Sequence, residues 1–591
     1  MEFEAPRGDI SELDRNMAIS VLRRVLAPGR AREVIETLHG GRKGTTSIEW
    51  IVATAEAGPN GKGATKLPDA DLVPLIVDLS GSDLLAHRMI REVLTEGLGP
   101  DQLGELFDLC DGARGNRSHR AKIDAVAGRR WHPGKSWALH FTKAVSLPPV
   151  FAGSRTERIP GPHLEVQPFT PLKPLAPFQQ ELHDKFLEVL SKPKGQNRAI
   201  LTLPTGAGKT RTSVEALVKW LVDANFTRSI LWIAQSDELC EQAVQSFRDV
   251  WFDLGHRGIP VGRSINIGRH WGARDVALGE CEVVVASIQK LVAAIRGEDG
   301  ETSDEEMNEF VQRVGVMVMD EAHGALAQSY SAVLRRFGLL QKGKGSDAAV
   351  IGLTATPRRN SPDETKRLYQ RFSDTVLRPS GITGDPVAAL RDQGVLSRVN
   401  TEVLEYGAEV INIADDPDLA TYFRDLNDIP PRLLVRLGED RKRNHGLLTR
   451  VLQIDESWPV LLFACSVNHA HAMTALLARK GRSSACVTGE TRDATRRSIV
   501  ERFRQGKISV LCNYGVLTTG FDAPQVRVVV VARPTESSIL YEQMIGRGMR
   551  GPAFGGTEDC LVIDVADNLR WHDRLAGVRF SALEAQMRES A

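Results

Sequence analysis

The chain has 591 residues, in which 75 lysines and arginines balance 75 aspartates and glutamates. That length suits three or four domains, each able to bury its own core, and the balanced charge points to no partner, so any basic surface must be local. Seven scattered cysteines without a C-x-x-C pair argue against a zinc ribbon or disulfide framework and fit a reducing cytosol. An acidic, polar N-terminus and the lack of an apolar run of about 18 residues predict a cytoplasmic protein, neither secreted nor membrane-spanning.

Residues 1–165 carry no nucleotide motif. Helical spacing of apolar residues over Met17–Leu38 and Leu84–Leu98, around a Gly/Pro/Lys-rich loop at Gly58–Pro68, predicts a mainly helical accessory domain. Within it Arg114, Arg117, Arg120, Lys122, Arg129, Arg130, Lys135 and Lys143 face a single acid, Asp124, with Trp131, Trp137 and Phe141 interleaved. Two readings stand here. Cations such as Arg129 and Arg130 could neutralise phosphates while the rings stack on bases, or the stretch is a solvated face whose aromatics fill a local core. His132-Pro-Gly-Lys-Ser136 imitates a phosphate loop, but no apolar strand precedes it and it is rejected as one.

Gly153–Pro174 reads as a linker. Residues 166–380 then alternate apolar runs (Ile230–Ala234, Val283–Ala286, Val314–Met319, Ala349–Leu353) with helical stretches, the pattern of a parallel sheet covered on both faces. The chain is organised around Ala199–Thr210, A-I-L-T-L-P-T-G-A-G-K-T. An apolar strand ends in a turn that Gly206 and Gly208 make possible, and a helix begins beyond it. Thr205, Gly206, Ala207 and Gly208 thus form a phosphate cradle, from which Lys209 reaches the β- and γ-phosphates of a nucleotide and the Thr210 hydroxyl ligates Mg2+. The match to the phosphate-loop pattern is partial, because Leu203 stands where that pattern has its first glycine.

Val314–Met319 runs into Asp320-Glu-Ala-His323, placing two adjacent carboxylates at the C-terminal end of a buried strand, the edge where ligands bind. Asp320 suits Mg2+; Glu321 suits positioning and deprotonating the water that attacks a γ-phosphate. Residues 381–440 read as a connector or small insertion, 441–575 as a second α/β unit with apolar runs at Val460–Ala464, Val510–Cys512, Val526–Ala532 and Cys560–Ile563, and 576–591 as a short helical tail. The stretches Asp363–Lys366 and Asp440–Lys442 offer the acid-x-Lys spacing of some nucleases, but without an acidic partner on a preceding strand they read as solvated loops.

Asp320–His323 is the DEAH form of the box that names the DEAD/DEAH-type superfamily 2 helicases, and the chain resembles that family over Pro177–Asp567. The resemblance implies two tandem RecA-like domains that bind ATP and Mg2+. It gives Gln179 the role of adenine recognition, assigns Gln235, Ser287, Ser466, Thr488, Gly489, Thr518 and Thr519 to nucleic-acid contact, and makes His323, Thr354 and Thr356 coupling residues. Asp522 would face the nucleotide. Gln543-Met-Ile-Gly-Arg-Gly-Met-Arg550 matches the family's Q-x-x-G-R-x-x-R, which makes Gln543, Arg547 and Arg550 catalytic. On a predicted helix Arg547 and Arg550 share one face, and arginines from a facing domain can stabilise a phosphoryl group in flight. Gln543 and Leu517–Asp522 look more like the DNA-directed branch, which includes type III restriction and excision-repair helicases; RNA stays open. The expected function is ATP-driven translocation or unwinding of DNA in repair, restriction or phage defence. The rival is an ATP-switched scaffold recruiting a nuclease or methyltransferase.

Overall fold

The computed structural model describes residues 10, 12–39, 48–57, 66–110, 117–153, 163–166, 172–254, 264–272, 274, 276–300, 302–340, 347–355, 357, 361–380, 386–407, 410–426, 428–491, 493–517, 525–572 and 574–580. Runs of valine, isoleucine and leucine with too few polar residues to face water form the centres of two sheets. In the first, β1 (His163–Val166), β2 (Arg198–Thr202), β3 (Ser229–Ala234), β4 (Ile265–His270), β5 (Val283–Ser287), β6 (Val314–Asp320), β7 (Ala349–Thr354) and β8 (Val376–Leu377) lie in the order β1-β4-β5-β3-β6-β7-β2-β8. Only edge strand β1 is antiparallel to its neighbour. Every residue of β3, β5, β6 and β7 is buried, as helices on both faces require. Register places Thr202 opposite Thr354 and Asp320 opposite Leu353. The chain therefore leaves β2, β7 and β6 at one edge, within reach of one ligand.

The second sheet is parallel throughout. Its strands are β9 (Arg398–Leu404), β11 (Val460–Phe463), β12 (Ser484–Thr488), β13 (Val510–Tyr514), β14 (Val528–Val531) and β15 (Asp559–Val565), in the order β12-β13-β11-β14-β15-β9. The stretch between the two units thus supplies an edge strand. Its helices Pro417–Leu426 and Pro431–Glu439 close a small core with β10 (Ile411–Asn412), β16 (Leu569–Trp571) and β17 (Arg574–Leu575), using Ile413, Phe423, Leu433, Leu437 and Leu569. The two acid-x-Lys stretches are helical rather than loops: Asp363–Lys366 lies in the helix Pro362–Arg371, and Asp440 caps Arg441–Leu452 by accepting from Arg443 N at 2.8 Å.

The N-terminal region is helical and packs on the second lobe. Val52, Ala55, Leu72 and Ile76 share one apolar core with Leu447, Val451, Met473, Leu477 and Val530. Polar contacts rim it: Arg479 Nε donates to Glu56 Oε1 at 2.7 Å and its other arm lies 3.3 Å from Asp71 Oδ2. His445 Nδ1 meets Ala55 O at 3.0 Å, and the Thr495 hydroxyl donates to Asp83 at 2.9 Å. Burial of this kind contributes roughly 25 cal/mol per Å2 of apolar surface, so the helices behave as a layer of the second lobe. Removing residues 1–152 should leave the outer face of the helix Val467–Arg479 open to water and produce a chain that binds an apolar dye and self-associates; a monodisperse product with an unchanged melting temperature would contradict the shared core.

Candidate nucleotide-binding site

The turn after β2 is shaped by two glycines in left-handed backbone, Gly206 at φ 87° and Gly208 at φ 85°. Gly208 caps the helix Lys209–Asp223. A Cβ there would stand 2.3 Å from Gln179 Nε2, so the position requires glycine for space as well as for φ. Gln179 itself braces the turn: its Oε1 accepts from Ala176 N at 3.0 Å and its Nε2 donates to Ala207 O at 3.1 Å. Ala207 is buried, with its N–H on Pro204 O at 3.1 Å. Amide groups at the start of a helix, with the helix dipole behind them, form an anion cradle.

Lys209 is half-buried at the base of this cradle, its ammonium donating to Leu203 O at 2.8 Å. Burial pushes its pKa down, while Glu321, Glu542 and Asp320 pull it up and Arg547 adds to the downward push. Asp320 ends β6 as a buried carboxylate whose pKa is raised by burial and then by its neighbour Glu321. Glu321 behaves oppositely. Burial alone would raise its pKa, but His323, Lys209 and Arg547 outweigh that and hold it below the usual carboxylate range. His323 Nδ1 lies 3.3 Å from Glu321 Oε2. Glu321 also takes the left-handed conformation, φ 52°, unusual for a side chain of its size and typical of backbone held strained at a working site.

The second lobe completes the site. Thr205, Gly206, Gly208, Lys209, Thr210, Asp320 and Glu321 share one cavity of about 1100 Å3 with Gln179 and with Gln543, Arg547 and Arg550. Contact between the lobes is close: a Cβ on Gly546 would lie 2.5 Å from Thr205 Cγ2, and one on Gly206 would lie 3.7 Å from Arg550 Cα. The helix expected to carry Arg547 and Arg550 on one face is not formed, because the helix Ser538–Ile545 stops at Gly546. Gly546 and Gly548 turn the chain, and Arg550 enters a β-bridge with Leu396. Both arginines reach the cavity through that turn rather than from one helical face. Sequence reasoning missed Glu542, whose carboxylate acts on Lys209, and the pair Gln393 and Val395, which line the cavity from the interlobe segment.

The other predicted residues lie elsewhere. Thr354 is buried at the end of β7, opposite Thr202. Gln235 packs toward Gly324, where a Cβ would lie 2.5 Å from its Nε2, and its carbonyl accepts from Gln289 at 3.3 Å. Ser287 and Ser466 cap helices, accepting from Lys290 N at 3.3 Å and His469 N at 3.1 Å. Thr488 is buried, its hydroxyl accepting from Glu490 N at 3.3 Å, while Gly489 is exposed. Thr356, Thr518, Thr519 and Asp522 lie outside the described residues. In the N-terminal region the rings do not await bases: Trp131, Trp137 and Phe141 are all buried in core. The Arg129 guanidinium covers Trp137 at 4.6 Å and donates to Leu109 O. Arg130 is exposed. Arg120 pairs with Glu92 and Glu96, acids that folding brings from a neighbouring helix.

Residues 172–359 match the family described as type III restriction enzyme, res subunit, and residues 444–551 match the helicase conserved C-terminal domain. ATP-dependent helicase IRC3 of Saccharomyces cerevisiae is 25% identical over 402 residues, covering 66% of this chain and 51% of that protein. The type I restriction enzyme EcoKI endonuclease subunit of Escherichia coli K12 is 26% identical over 406 residues, 60% of this chain and 32% of that one. The ATP-dependent DNA helicase uvsW of phage T4 is 24% identical over 364 residues, 60% and 62% of the two chains. The chain thus spans about half the length of the IRC3 protein it matches. Neither family match reaches residues 1–171. The chain thus carries a type III restriction res-subunit domain followed by a helicase conserved C-terminal domain, the domain order that it shares with helicases such as IRC3.

Proposed function

We propose that the chain hydrolyses ATP with Mg2+ in the cleft between its two parallel-sheet lobes and uses the cycle to translocate along or unwind DNA in the cytoplasm, in repair, restriction or phage defence. The observation that carries this reading is the meeting, in one cavity, of Lys209 and two acids from the first lobe with Arg547 and Arg550 from the second. The residues fit the cofactor. Thr210 and buried Asp320 offer the hard oxygen ligands that Mg2+ takes one or two at a time beside phosphate. Bound Mg2+ would neutralise charge on the β- and γ-phosphates. Glu321, kept ionised by His323, Lys209 and Arg547, orients the attacking water and accepts its proton. Gln543 and the two arginines bear on the charge that spreads over the transferring group, and they do so only while the lobes are together. Closure and opening would then move a strand lying across both lobes.

DNA is favoured over RNA by the resemblance of Gln543 and Leu517–Asp522 and by the DNA helicase name of the phage relative. The match to a restriction subunit makes a nuclease or methyltransferase subunit the class of partner expected. In the N-terminal region exposed Arg117, Arg130, Lys135 and Lys143 would add phosphate contacts without base stacking.

ATP turnover should rise several-fold with single-stranded or forked DNA, and Lys209→Ala or Glu321→Gln should lower it by about a hundredfold or more; turnover that no nucleic acid alters would defeat the reading, and stimulation by RNA alone would move it to that polymer. Gly208→Ala places a methyl group against Gln179 at a φ that alanine resists, so ATP affinity should fall by about tenfold or more. Equilibrium titration with a fluorescent ATP analogue measures it, and an unchanged Kd would remove the cradle from the site.

A further inference from the structure

We propose that Phe554, on the loop after the second arginine, stacks on the base of the bound nucleotide, so that the second lobe reads the nucleoside as well as the phosphates. This rests on the nucleotide reading of the cleft and adds a base contact to it. Two aromatic residues line the cavity among the described residues, Phe178 and Phe554. Phe178 belongs to the first-lobe core, only 5% exposed, whereas Phe554 packs against that core but is half-buried and lines the cavity. Its Cε1 lies 3.8 Å from where a Cβ on Gly208 would stand, and that same point is 2.3 Å from Gln179 Nε2. The ring therefore sits at the helix end of the phosphate cradle. With the phosphates held by the turn and Lys209, the remaining length of a nucleoside triphosphate must run along the cavity wall made by Pro174, Leu175, Ala176 and Pro177. That wall is apolar, which suits a flat heterocycle.

The loop is built to hold the ring still. Gly551 N donates to Val395 O at 2.9 Å, Ala553 N to Gly394 O at 3.0 Å, Phe554 N to Gly551 O at 3.0 Å and Thr557 N to Arg550 O at 3.0 Å. Gly555 closes it in left-handed backbone at φ 79°. A π-face held in advance loses little entropy on binding, and base–aromatic stacking is tolerant of which base is present. Because the ring and Arg550 ride on one loop, base contact and arginine delivery arrive together on closure.

The test compares binding of ATP with binding of inorganic tripolyphosphate, each with Mg2+, to the full chain by calorimetry. Phe554→Ala, and Phe554→Leu to keep apolar volume against the core, should each weaken ATP by about tenfold while leaving tripolyphosphate within twofold; Phe554→Tyr should restore ATP binding. ATP affinity within twofold of wild type in both variants, or equal losses for the two ligands, overturns the stacking role. A wild-type chain that binds neither ligand overturns the nucleotide reading itself, a result distinct from either.

Discussion

The structure depends on one electrostatic arrangement, a half-buried lysine ammonium beneath a turn of backbone amides, faced by the buried carboxylates of Asp320 and Glu542 and the half-buried one of Glu321. Lys209 lies under the pull of Asp320, Glu321 and Glu542 and the push of Arg547. Burying any one of these charges alone would cost several kcal/mol; gathered together they compensate one another. Two of them, Glu542 and Arg547, belong to the second lobe. The electrostatics of the first lobe's cradle therefore depend on groups that the second lobe brings, one of each sign.

That coupling is carried by backbone as well as charge. The segment Gly394–Ser397 is stitched to Met549–Thr557 through Gly551 N to Val395 O, Ala553 N to Gly394 O and Ser397 N to Met549 O. The buried Ser397 hydroxyl lies 2.7 Å from Arg550 O and 2.6 Å from Thr557 O. The chain that leaves the first lobe thus grips the turn bearing Arg550 before it enters β9. A shift of the connector is felt at the arginine without passing through the sheet, because hydrogen-bonded backbone transmits displacement with little slack.

What could be read from the sequence follows from how local each feature is. The cradle was legible because its glycines, lysine and following helix lie in one unbroken stretch, Gly206–Asp223, and the acids because β6 runs straight into them. The two-lobe fold was legible in the alternation of apolar runs and helices. Long-range choices were not. Nothing local says that Arg398–Leu404, with four of its seven residues exposed and the other three half-buried, pairs in register with Asp559–Val565. The rings of Trp131, Trp137 and Phe141, spaced among cations, read equally as a stacking surface or as core, and folding buried them. The end of the helix at Ile545 was signalled by Gly546 and Gly548, but the pull of the Q-x-x-G-R-x-x-R pattern hid a glycine turn that helix propensity alone would have exposed.

The docking of the N-terminal helices changes what a cycle of closure would move. Had they been tethered through a linker alone, their cations would act as a loose anchor, raising local concentration and nothing more. Packed instead on the helix Val467–Arg479 through a common core and the Arg479 ion pairs, they turn with the second lobe as a single body. Any partner or phosphate backbone held at Arg130 or Lys143 would then be displaced by the same rotation that brings Arg547 and Arg550 to the cradle.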